Sequence, residues 1–263
     1  MSSQEEGQLI PDQRRELLLR RLRSHLVLSV HQLTEMLGVS HMTVRRDIAA
    51  LEEQGHVYSV PGGVRLASRI SSEPSHERKT HVDRAEKTAM AALVDGLLVD
   101  GMSVYVDAGT TLLHVVPFIT ARQGMTVVTN DFTVVHRLAD APHVETIHIG
   151  GRLEHENLST VGPVAAATLR QFALDLALIS SSSWDLQRGV TTPSEAKVEV
   201  KRAAMESASR SVLVAAASKY GLFATYRMAP LRAFERIVTD RALEPAAAQA
   251  IRDLGIELDL ATP

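Results

Sequence analysis

The sequence predicts a two-domain α/β protein, in which a small winged helix-turn-helix precedes a larger α/β domain with a mostly parallel sheet. Three observations predict this fold class. Residues 29–55 read as two short amphipathic helices joined by a tight turn, residues 56–66 read as a hairpin, and apolar β-branched runs alternate with helix-length segments after Gly101. Such alternation is typical of a mostly parallel sheet that carries helices on both faces.

A first helix is predicted over 12–24, because leucines recur there at helical spacing between arginines. Leu17, Leu18 and Leu22 are expected to face inward. The arginines of this helix are expected to lie largely on its outer face: Arg14, Arg15, Arg20, Arg21 and Arg23.

The next helix is predicted to begin after Ser29, which is placed to cap it, with Gln32 completing a capping box. Gly38 is expected to end it. Its apolar positions lie at helical spacing on one face: Leu33, Met36 and Leu37.

The third predicted helix, over 41–54, has the features of a helix that reads DNA in the major groove. Ser40 is placed to cap it, and Val44, Ile48 and Leu51 form its inner face. The outward positions near its start are suited to base edges and phosphates. With the cap and two wing glycines, the predicted DNA contacts are Ser40, His41, Thr43, Arg45, Arg46, Gly62 and Gly63.

The hairpin that follows comprises 56–60 and 64–66, separated by a Pro-Gly-Gly turn at 61–63. Three helices and a hairpin make a winged helix-turn-helix, which is predicted to span residues 10–66. The alternative is a small helical subdomain with a solvated arginine face. The capping, turn and wing signals fall in one order, which favours the winged helix.

The net charge of −3 does not argue against DNA binding, because the charge is unevenly distributed. Seven arginines between Arg14 and Arg46 face only two acidic residues, Glu16 and Glu35. A local patch of this kind can neutralise phosphates and release their counterions.

Composition excludes several other classes. Cysteine is absent, which rules out disulfides and thiolate sites. The eleven histidines lack the spacing of a metal motif, so we predict neither a metal nor a cofactor. No apolar run approaches the roughly 20 residues of a membrane span, and the acidic start differs from a signal peptide. We therefore expect a cytoplasmic protein with no membrane partner.

Residues 67–82 are polar and interrupted by proline, so they are predicted to form an interdomain linker before a second domain at 83–263. Asp83 and Glu86 are expected to cap a helix that runs through Val99. Its apolar face could pack on its own domain or on a second subunit, and both possibilities stay open.

Seven strands are predicted in the second domain, at 103–106, 125–129, 146–149, 176–180, 212–215, 236–239 and 256–260. The helix-length segments include 110–120, 161–172, 195–208 and 245–254.

Because ligands of parallel sheets bind at the carboxyl ends of the strands, the strand ends are the candidate site. Residues 107–111 suit a phosphate or carboxylate, or form a simple turn with Thr110 as a helix cap. Trp184 is expected either to pack in the core or to contact the ligand. The candidate ligand-binding residues at strand ends are Asp107, Gly109, Thr110, Thr111, Thr129, Asn130, Asp131, Gly150, Gly151, Ser181, Trp184 and Lys219.

Two further candidates lie at the start of the helix at 195–208. Glu195 is expected either to contact ligand or only to complete a capping box with Thr192 and Pro193. Lys197 is expected near the pocket, on a helix face that is otherwise solvated and carries Lys201 and Arg202.

The motif Thr-Val-Arg-Arg-Asp-Ile at 43–48, with the later Leu51-Glu52, Gly55 and Gly62-Gly63, resembles the signature of the DeoR-type bacterial operon regulators. Pro61 departs from it, since many members carry a histidine there. Residues past 80 resemble the sensor domain of that family, which is similar to ribose-5-phosphate isomerases.

The resemblance implies that a sugar-phosphate pocket is formed by Asp107, Asn130, Gly150, Gly151, Glu195 and Lys219. Residues 189–197 lie where such isomerases carry their catalytic glutamate. Short segments around Glu73, Asn130, Asn157, Ser182 and Lys201 resemble a branch of the family found with genes for four-carbon sugar-acid use.

These observations together predict a ligand-responsive transcription factor, most simply a repressor. A small phosphorylated sugar or sugar acid is expected to change how paired winged helices meet a double-stranded DNA operator, and specific binding requires at least a homodimer. The alternative is a phosphosugar isomerase-like enzyme with a DNA-binding appendage. The glycine-rich segment with a nearby general base expected of such isomerases is not clearly present.

Overall fold

The computed structural model describes residues 9–25 and 27–263. The chain divides into two compact units with a boundary between Ser68 and Arg69. The first unit contains helices α1 Pro11–His25, α2 Val30–Leu37 and α3 His41–Glu53, and strands β1 Val27–Ser29, β2 Val57–Val60 and β3 Gly63–Leu66. Its three strands form an antiparallel sheet in the order β1-β3-β2.

The helix-turn-helix forms as its capping residues predict. Ser29 and Gln32 form a reciprocal capping box, and Gly38 in the left-handed conformation ends α2. Ser40 Oγ accepts from the backbone N–H of Thr43 at 3.2 Å, which fixes the start of α3. The core of this unit is apolar and buried, and it includes Leu18, Leu22, Leu33, Val44, Ile48 and Leu51.

Two of the arginines predicted to lie on the outer face of α1 instead form ion pairs with a buried carboxylate. Arg14 Nε donates to Asp47 Oδ2 at 2.8 Å, and Arg15 Nε lies 3.5 Å from Asp47 Oδ1. Asp47 lies on α3 and is only 1% exposed, so it requires a counter-charge. Arg20, Arg21 and Arg23 are exposed, as the helical pattern predicts.

The wing contains a third strand, β1, that the sequence pattern did not reveal. Gly62 occupies the turn with φ of 77°. Gly63 is buried, and a Cβ at this position would lie 2.4 Å from the backbone oxygen of Leu28. Gly63 therefore permits β1 to approach β3, and it does not form part of the exposed surface of the wing.

The strands from Ser68 onward are β4 Ser68–Arg69, β5 Ser103–Val106, β6 Thr126–Thr129, β7 Glu145–His148, β8 Arg152–Glu154, β9 Ser159–Val161, β10 Leu174–Ser180, β11 Ser183–Asp185, β12 Gly189–Thr192, β13 Ala208–Val214, β14 Leu222–Phe223, β15 Tyr226–Ala229, β16 Arg236–Asp240 and β17 Glu257–Ala261. The helices are α4 His76–His81, α5 Arg84–Asp95, α6 Val116–Thr120, α7 Phe132–Leu138, α8 Pro163–Leu169, α9 Glu195–Glu206 and α10 Pro245–Asp253. None of the helices in the described part of the chain is long and apolar enough to span a bilayer.

All seven predicted strands join one sheet in the order β17-β16-β13-β10-β5-β6-β7. Every neighbouring pair in it is parallel, which confirms the predicted fold class. Leu176 and Leu178 on β10 pack in a cluster with Met90 of α5. The alternate residues Ala177 and Ile179 are fully buried too, so both faces of the strand are covered.

The interval predicted to be a linker differs from that expectation. Residues 69–82, which we call the strap, belong to the second unit and include α4. The next helix ends at Asp95 rather than Val99, and Asp83 does not cap it by its side chain. The Asp83 carboxylate instead accepts from Ser218 Oγ at 2.7 Å.

Candidate functional sites

The start of α3 presents an exposed cationic surface. His41, Arg45 and Arg46 are exposed, and Thr43 is half-buried with its hydroxyl 3.0 Å from Ser40 Oγ. Within the described residues, neither Arg45 nor Arg46 has an ion-pair partner. Both guanidinium groups are therefore available to an anionic partner, whereas those of Arg14 and Arg15 lie against Asp47.

The second unit contains a cavity of about 260 Å³ at the carboxyl ends of β5 and β10, covered by the strap and bordered by α9. Six cationic side chains line it: Arg78, Lys79, Lys87, Lys197, Lys201 and Lys219. Glu73 and Asp83 are the acidic residues among its lining. The lining also offers hydroxyl and amide groups from Thr110, Thr111, Asn157, Ser181, Ser182, Thr191 and Thr192.

Glu73 of the strap lies between two lysines. Its Oε2 accepts from Lys79 Nζ and Lys197 Nζ, each at 3.1 Å, and its Oε1 accepts from Ser182 Oγ at 3.0 Å. Burial opposes ionisation of this carboxyl, but the ammonium groups of Lys197 and Lys79 outweigh burial and lower its pKa to about 2. Lys197 also lies 2.7 Å from Glu154 Oε2.

Lys87 is a buried ammonium group with uncharged hydrogen-bond acceptors. Its Nζ donates to the backbone oxygens of Lys79 and Val82 and to Thr110 Oγ1. Burial, together with the nearby charges of Lys219 and Lys79, lowers the pKa of Lys87 to about 8, although Asp83 opposes the shift. No described carboxylate forms an ion pair with Lys87, so this end of the cavity carries a cation whose charge is not neutralised by contact.

Six of the predicted ligand-binding residues line this cavity: Gly109, Thr110, Thr111, Ser181, Lys197 and Lys219. Thr110 does not cap a helix. The segment predicted as one helix at 110–120 is a short 3₁₀ turn at Leu112–His114 followed by α6, which begins with Val116-Pro117. This end of the cavity is therefore lined by lysine and hydroxyl groups, without the N-terminus of an α-helix at Thr110.

Asp107 lies behind the cavity instead of in it. This carboxylate is 1% exposed, forms an ion pair with Lys201 Nζ, and accepts from the backbone N–H and hydroxyl of Ser180 at 2.9 Å each. With Asn130 it borders a second cavity of about 10 Å³, which suits at most one water. Asp107 thus holds Lys201 and Ser180 in place from behind the cavity.

Thr129, Asn130 and Asp131 do not line the larger cavity, and their polar groups form hydrogen bonds inside the fold. Asn130 Oδ1 accepts from Tyr105 Oη and from the backbone of Ala108, and its amide donates to the Thr160 carbonyl. Asp131 caps α7. It also accepts from the Gly109 backbone at 3.0 Å, and the hydroxyl of Thr129 donates to the Val106 carbonyl.

The remaining predicted residues lie away from the cavity. A Cβ on Gly151 would lie 2.9 Å from Ala165 Cβ, so this glycine permits the close approach of α8, whereas a Cβ on Gly150 would meet no atom of the described residues within 4 Å. Trp184 is fully buried, stacks edge-on against Tyr220 and donates to the Ala216 carbonyl at 3.3 Å. It packs in the core.

Glu195 is exposed and does not line the cavity. It is the first residue of α9, and Ser194 precedes it without a side-chain cap. Thr192 Oγ1 accepts from the Ser194 N–H at 3.2 Å, so the predicted capping box is absent. The position that resembles the catalytic glutamate of the isomerases therefore does not reach this cavity.

Sequence reasoning missed Glu73, Lys79, Lys87 and Lys201 as site residues. Lys197 and Lys201 were expected on a solvated face, yet they are 7% and 8% exposed. Their i, i+4 spacing places both on the same side of α9, and this spacing was the available signal. Arg202 holds the backbone of β15 through the carbonyls of Arg227 and Met228.

Replacement of Asp107 by alanine is expected to lower the free energy of unfolding of the second unit by about 3–5 kcal/mol, because it leaves the Lys201 ammonium buried and unpaired. Denaturant titration followed by Trp184 fluorescence measures this, since the chain has one tryptophan. Asp140→Ala, at an exposed carboxylate, is the control. A loss for Asp107→Ala no larger than for this control would contradict the structural role.

An exposed arginine pair on a winged helix and a cationic cavity in a separate α/β unit define a DNA-binding regulator with a sensor domain. Residues 14–69 match the DeoR-like helix-turn-helix domain, and residues 82–241 match the DeoR C-terminal sensor domain. The chain belongs to the DeoR family of transcriptional regulators.

Its relatives carry corresponding names. An uncharacterized HTH-type transcriptional regulator of Haemophilus influenzae is 42% identical over 97% of this chain and 99% of its own length. YgbI of Escherichia coli K12, another HTH-type transcriptional regulator, is 42% identical over 92% of this chain and 95% of its own. The transcriptional repressor AccR of Agrobacterium fabrum is 33% identical over 76% and 78%. Among solved structures, ribose 5-phosphate isomerase A of Methanocaldococcus jannaschii aligns with a TM-score of 0.39 and 12% identity over 52% of this chain and 55% of that one.

Proposed function

We propose that this protein is a cytoplasmic repressor of a carbohydrate or sugar-acid catabolic operon, and that a small phosphorylated sugar or sugar acid binds the cavity and releases the operator. The observation that carries the proposal is the charge of the cavity. Six cationic residues line the cavity, whereas four acidic residues lie in or behind its lining: Glu73 and Asp83 in the lining, and Asp107 and Glu154 behind it. The surplus of two positive charges favours an anionic ligand.

The phosphate is assigned to the end of the cavity that holds Lys87 and Lys219. Thr110 and Thr111 lie at the same end and supply hydroxyl groups. A buried ammonium group without a carboxylate partner is stabilised when a phosphate oxygen approaches it, because charge-assisted hydrogen bonds are about twice as strong as neutral ones.

The sugar hydroxyls are assigned to Asn157, Ser181 and Ser182, which donate and accept hydrogen bonds. The cavity volume of about 260 Å³ is many times the ~10–15 Å³ that a single water molecule requires. This volume suits a small metabolite, in agreement with the sugars and sugar acids that the sequence indicates.

Operator binding is proposed to require at least a homodimer. One recognition helix and one wing offer few base contacts, and Arg45 and Arg46 supply the strongest of them. Two half-sites held by paired subunits provide the specificity that one lacks.

The proposal is tested with genomic DNA fragments selected by the purified full-length chain. A panel of phosphorylated three- to six-carbon sugars and sugar acids is added to the labelled complex at constant ionic strength. We expect one compound to lower operator affinity by about tenfold or more, a usual size for allosteric coupling. Failure of the whole panel would refute a sugar-phosphate effector, and chemical conversion of the compound at an enzyme-like rate would favour the isomerase alternative.

The proposal also predicts a pH dependence. The phosphate is dianionic above its second pKa of about 6, whereas Lys87 in the free protein loses its proton as pH rises through about 8. A bound anion raises the pKa of Lys87, so binding above pH 8 requires proton uptake. Effector affinity is therefore expected to fall between pH 8 and 10, and calorimetry in buffers of different ionisation enthalpy measures both the affinity and the proton uptake. An affinity that rises over this interval would contradict the assignment.

A further inference from the structure

We propose that Glu73 is an internal stand-in for a carboxylate of the effector, so that the effector is a phosphorylated sugar acid that displaces Glu73 from its lysines. This inference rests on the proposed function and names the ligand class more narrowly. The groups around Glu73 form a complete binding site for a carboxylate, and the side chain of Glu73 occupies it.

The site around Glu73 satisfies both of its carboxylate oxygens. Two ammonium groups, of Lys79 and Lys197, contact Oε2, and the Ser182 hydroxyl donates to Oε1. A carboxylate of a ligand could accept the same two charge-assisted hydrogen bonds on one oxygen and the hydroxyl hydrogen bond on the other. Glu73 lines the cavity, so an incoming ligand reaches the same three groups.

The two anionic residues that contact Lys197 differ in their access to the cavity. Glu154 lies 2.7 Å from Lys197 Nζ but does not line the cavity, whereas Glu73 does. A ligand carboxylate that accepts from Lys79, Lys197 and Ser182 must take the position of the carboxylate that already does so. The carboxylate exposed to the ligand, that of Glu73, is the one displaced.

The other end of the same cavity differs. Lys87 donates to uncharged oxygens only, and no described carboxylate forms an ion pair with Lys219. Asp83 is turned to Ser218 Oγ. One end therefore accepts a phosphate directly, and the other accepts a carboxylate in exchange for Glu73. A phosphosugar that has no carboxylate has no group for this exchange.

Displacement of Glu73 has a consequence for the strap. Glu73 ties residues 69–82 to Lys197 of α9 and to Ser182, 124 and 109 positions further along the chain. The end of the strap near α4 keeps its own attachments, from Lys79 to Asn157 and from Lys87 to the Lys79 and Val82 carbonyls. Release of Glu73 therefore frees the middle of the strap, between Ile70, whose N–H donates to the Phe223 carbonyl, and the start of α4.

The first experiment requires no ligand. Operator affinity of full-length Glu73→Gln is compared with that of Glu154→Gln, which removes the other carboxylate from Lys197 but leaves the strap attached. We expect Glu73→Gln to bind operator about tenfold or more weakly than the parent, as if effector were bound, and Glu154→Gln to bind within about twofold. Equal operator affinity of the two variants would overturn the proposal.

Melting temperature and Trp184 fluorescence confirm that the variants fold. If Glu73→Gln does not fold, Ser182→Ala removes a single hydrogen bond from the same carboxylate and is expected to weaken operator binding in the same direction. Unchanged operator affinity in a folded Ser182→Ala would then count against the proposal.

The second experiment compares phosphorylated sugar acids with phosphosugars of equal chain length that lack the carboxylate. Erythronic acid 4-phosphate is compared with erythrose 4-phosphate, and gluconic acid 6-phosphate with glucose 6-phosphate. We expect release of the parent protein from operator only by a phosphorylated acid. If a phosphosugar without a carboxylate released the operator as strongly as the corresponding acid, this inference would be overturned and the proposed function would stand. If no phosphorylated compound released the operator, the proposed function itself would be refuted.

Discussion

Replacement of Arg45 and Arg46 together by alanine is expected to lower operator affinity of the full-length chain by about 100-fold or more. Both guanidinium groups are exposed at the start of α3, and no described carboxylate pairs with them. An arginine that reads a guanine edge contributes about 1–3 kcal/mol, and loss of a phosphate contact lowers the salt slope by about one. Fluorescence anisotropy over a range of salt concentrations separates the two kinds of contact.

The matched control is Arg241→Ala with Arg252→Ala, because both residues are exposed in the second unit and the change in net charge is the same. We expect this control to bind operator with an affinity within about twofold of the parent, since neither arginine belongs to the helix-turn-helix unit. Equal losses in both double variants would show a general charge effect. Such a result would remove the recognition role from α3.

Replacement of Lys87 by methionine is expected to weaken effector binding by about 10- to 100-fold, since a charged hydrogen bond is worth about 1.5–3 kcal/mol. The fold should tolerate the change. Burial lowers the pKa of Lys87, which means that the folded state disfavours its ammonium form, and methionine removes that penalty. Calorimetric titration of the effector and thermal unfolding measure the two effects.

The control for Lys87→Met is Arg84→Met, which removes a positive charge from the exposed side of the same helix. We expect this control to bind the effector as the parent does. If Lys87→Met bound the effector as well as Arg84→Met, the phosphate would lie elsewhere.

The sheet was predictable from the sequence because its strands are buried on both faces and read as continuous apolar runs. The helix-turn-helix was predictable because Ser29, Gln32, Gly38 and Ser40 are local signals that act within one turn of the chain. The third strand of the wing was not, since β1 is only three residues long and adjoins a helix cap.

The strap was predicted to be a linker because a polar, proline-containing segment looks the same whether its side chains meet water or other residues. Glu73 and its partner Lys197 are 124 positions apart, and no local pattern reveals such a pair. The strand-end rule selected Thr110 and Lys219, which line the cavity. It also selected Asn130, whose side chain bonds the backbone of Ala108 and Thr160, because a local sequence does not distinguish a polar side chain that faces the cavity from one that stabilises the fold.

The central claim is that one anion-binding cavity in the second unit controls operator binding by the first. Its most direct test is the affinity of the full-length chain for the effector, measured with and without saturating operator DNA. Because coupling is reciprocal, operator should weaken effector binding by the same factor, about tenfold or more, by which effector weakens operator binding. An effector affinity that operator leaves unchanged would contradict the account.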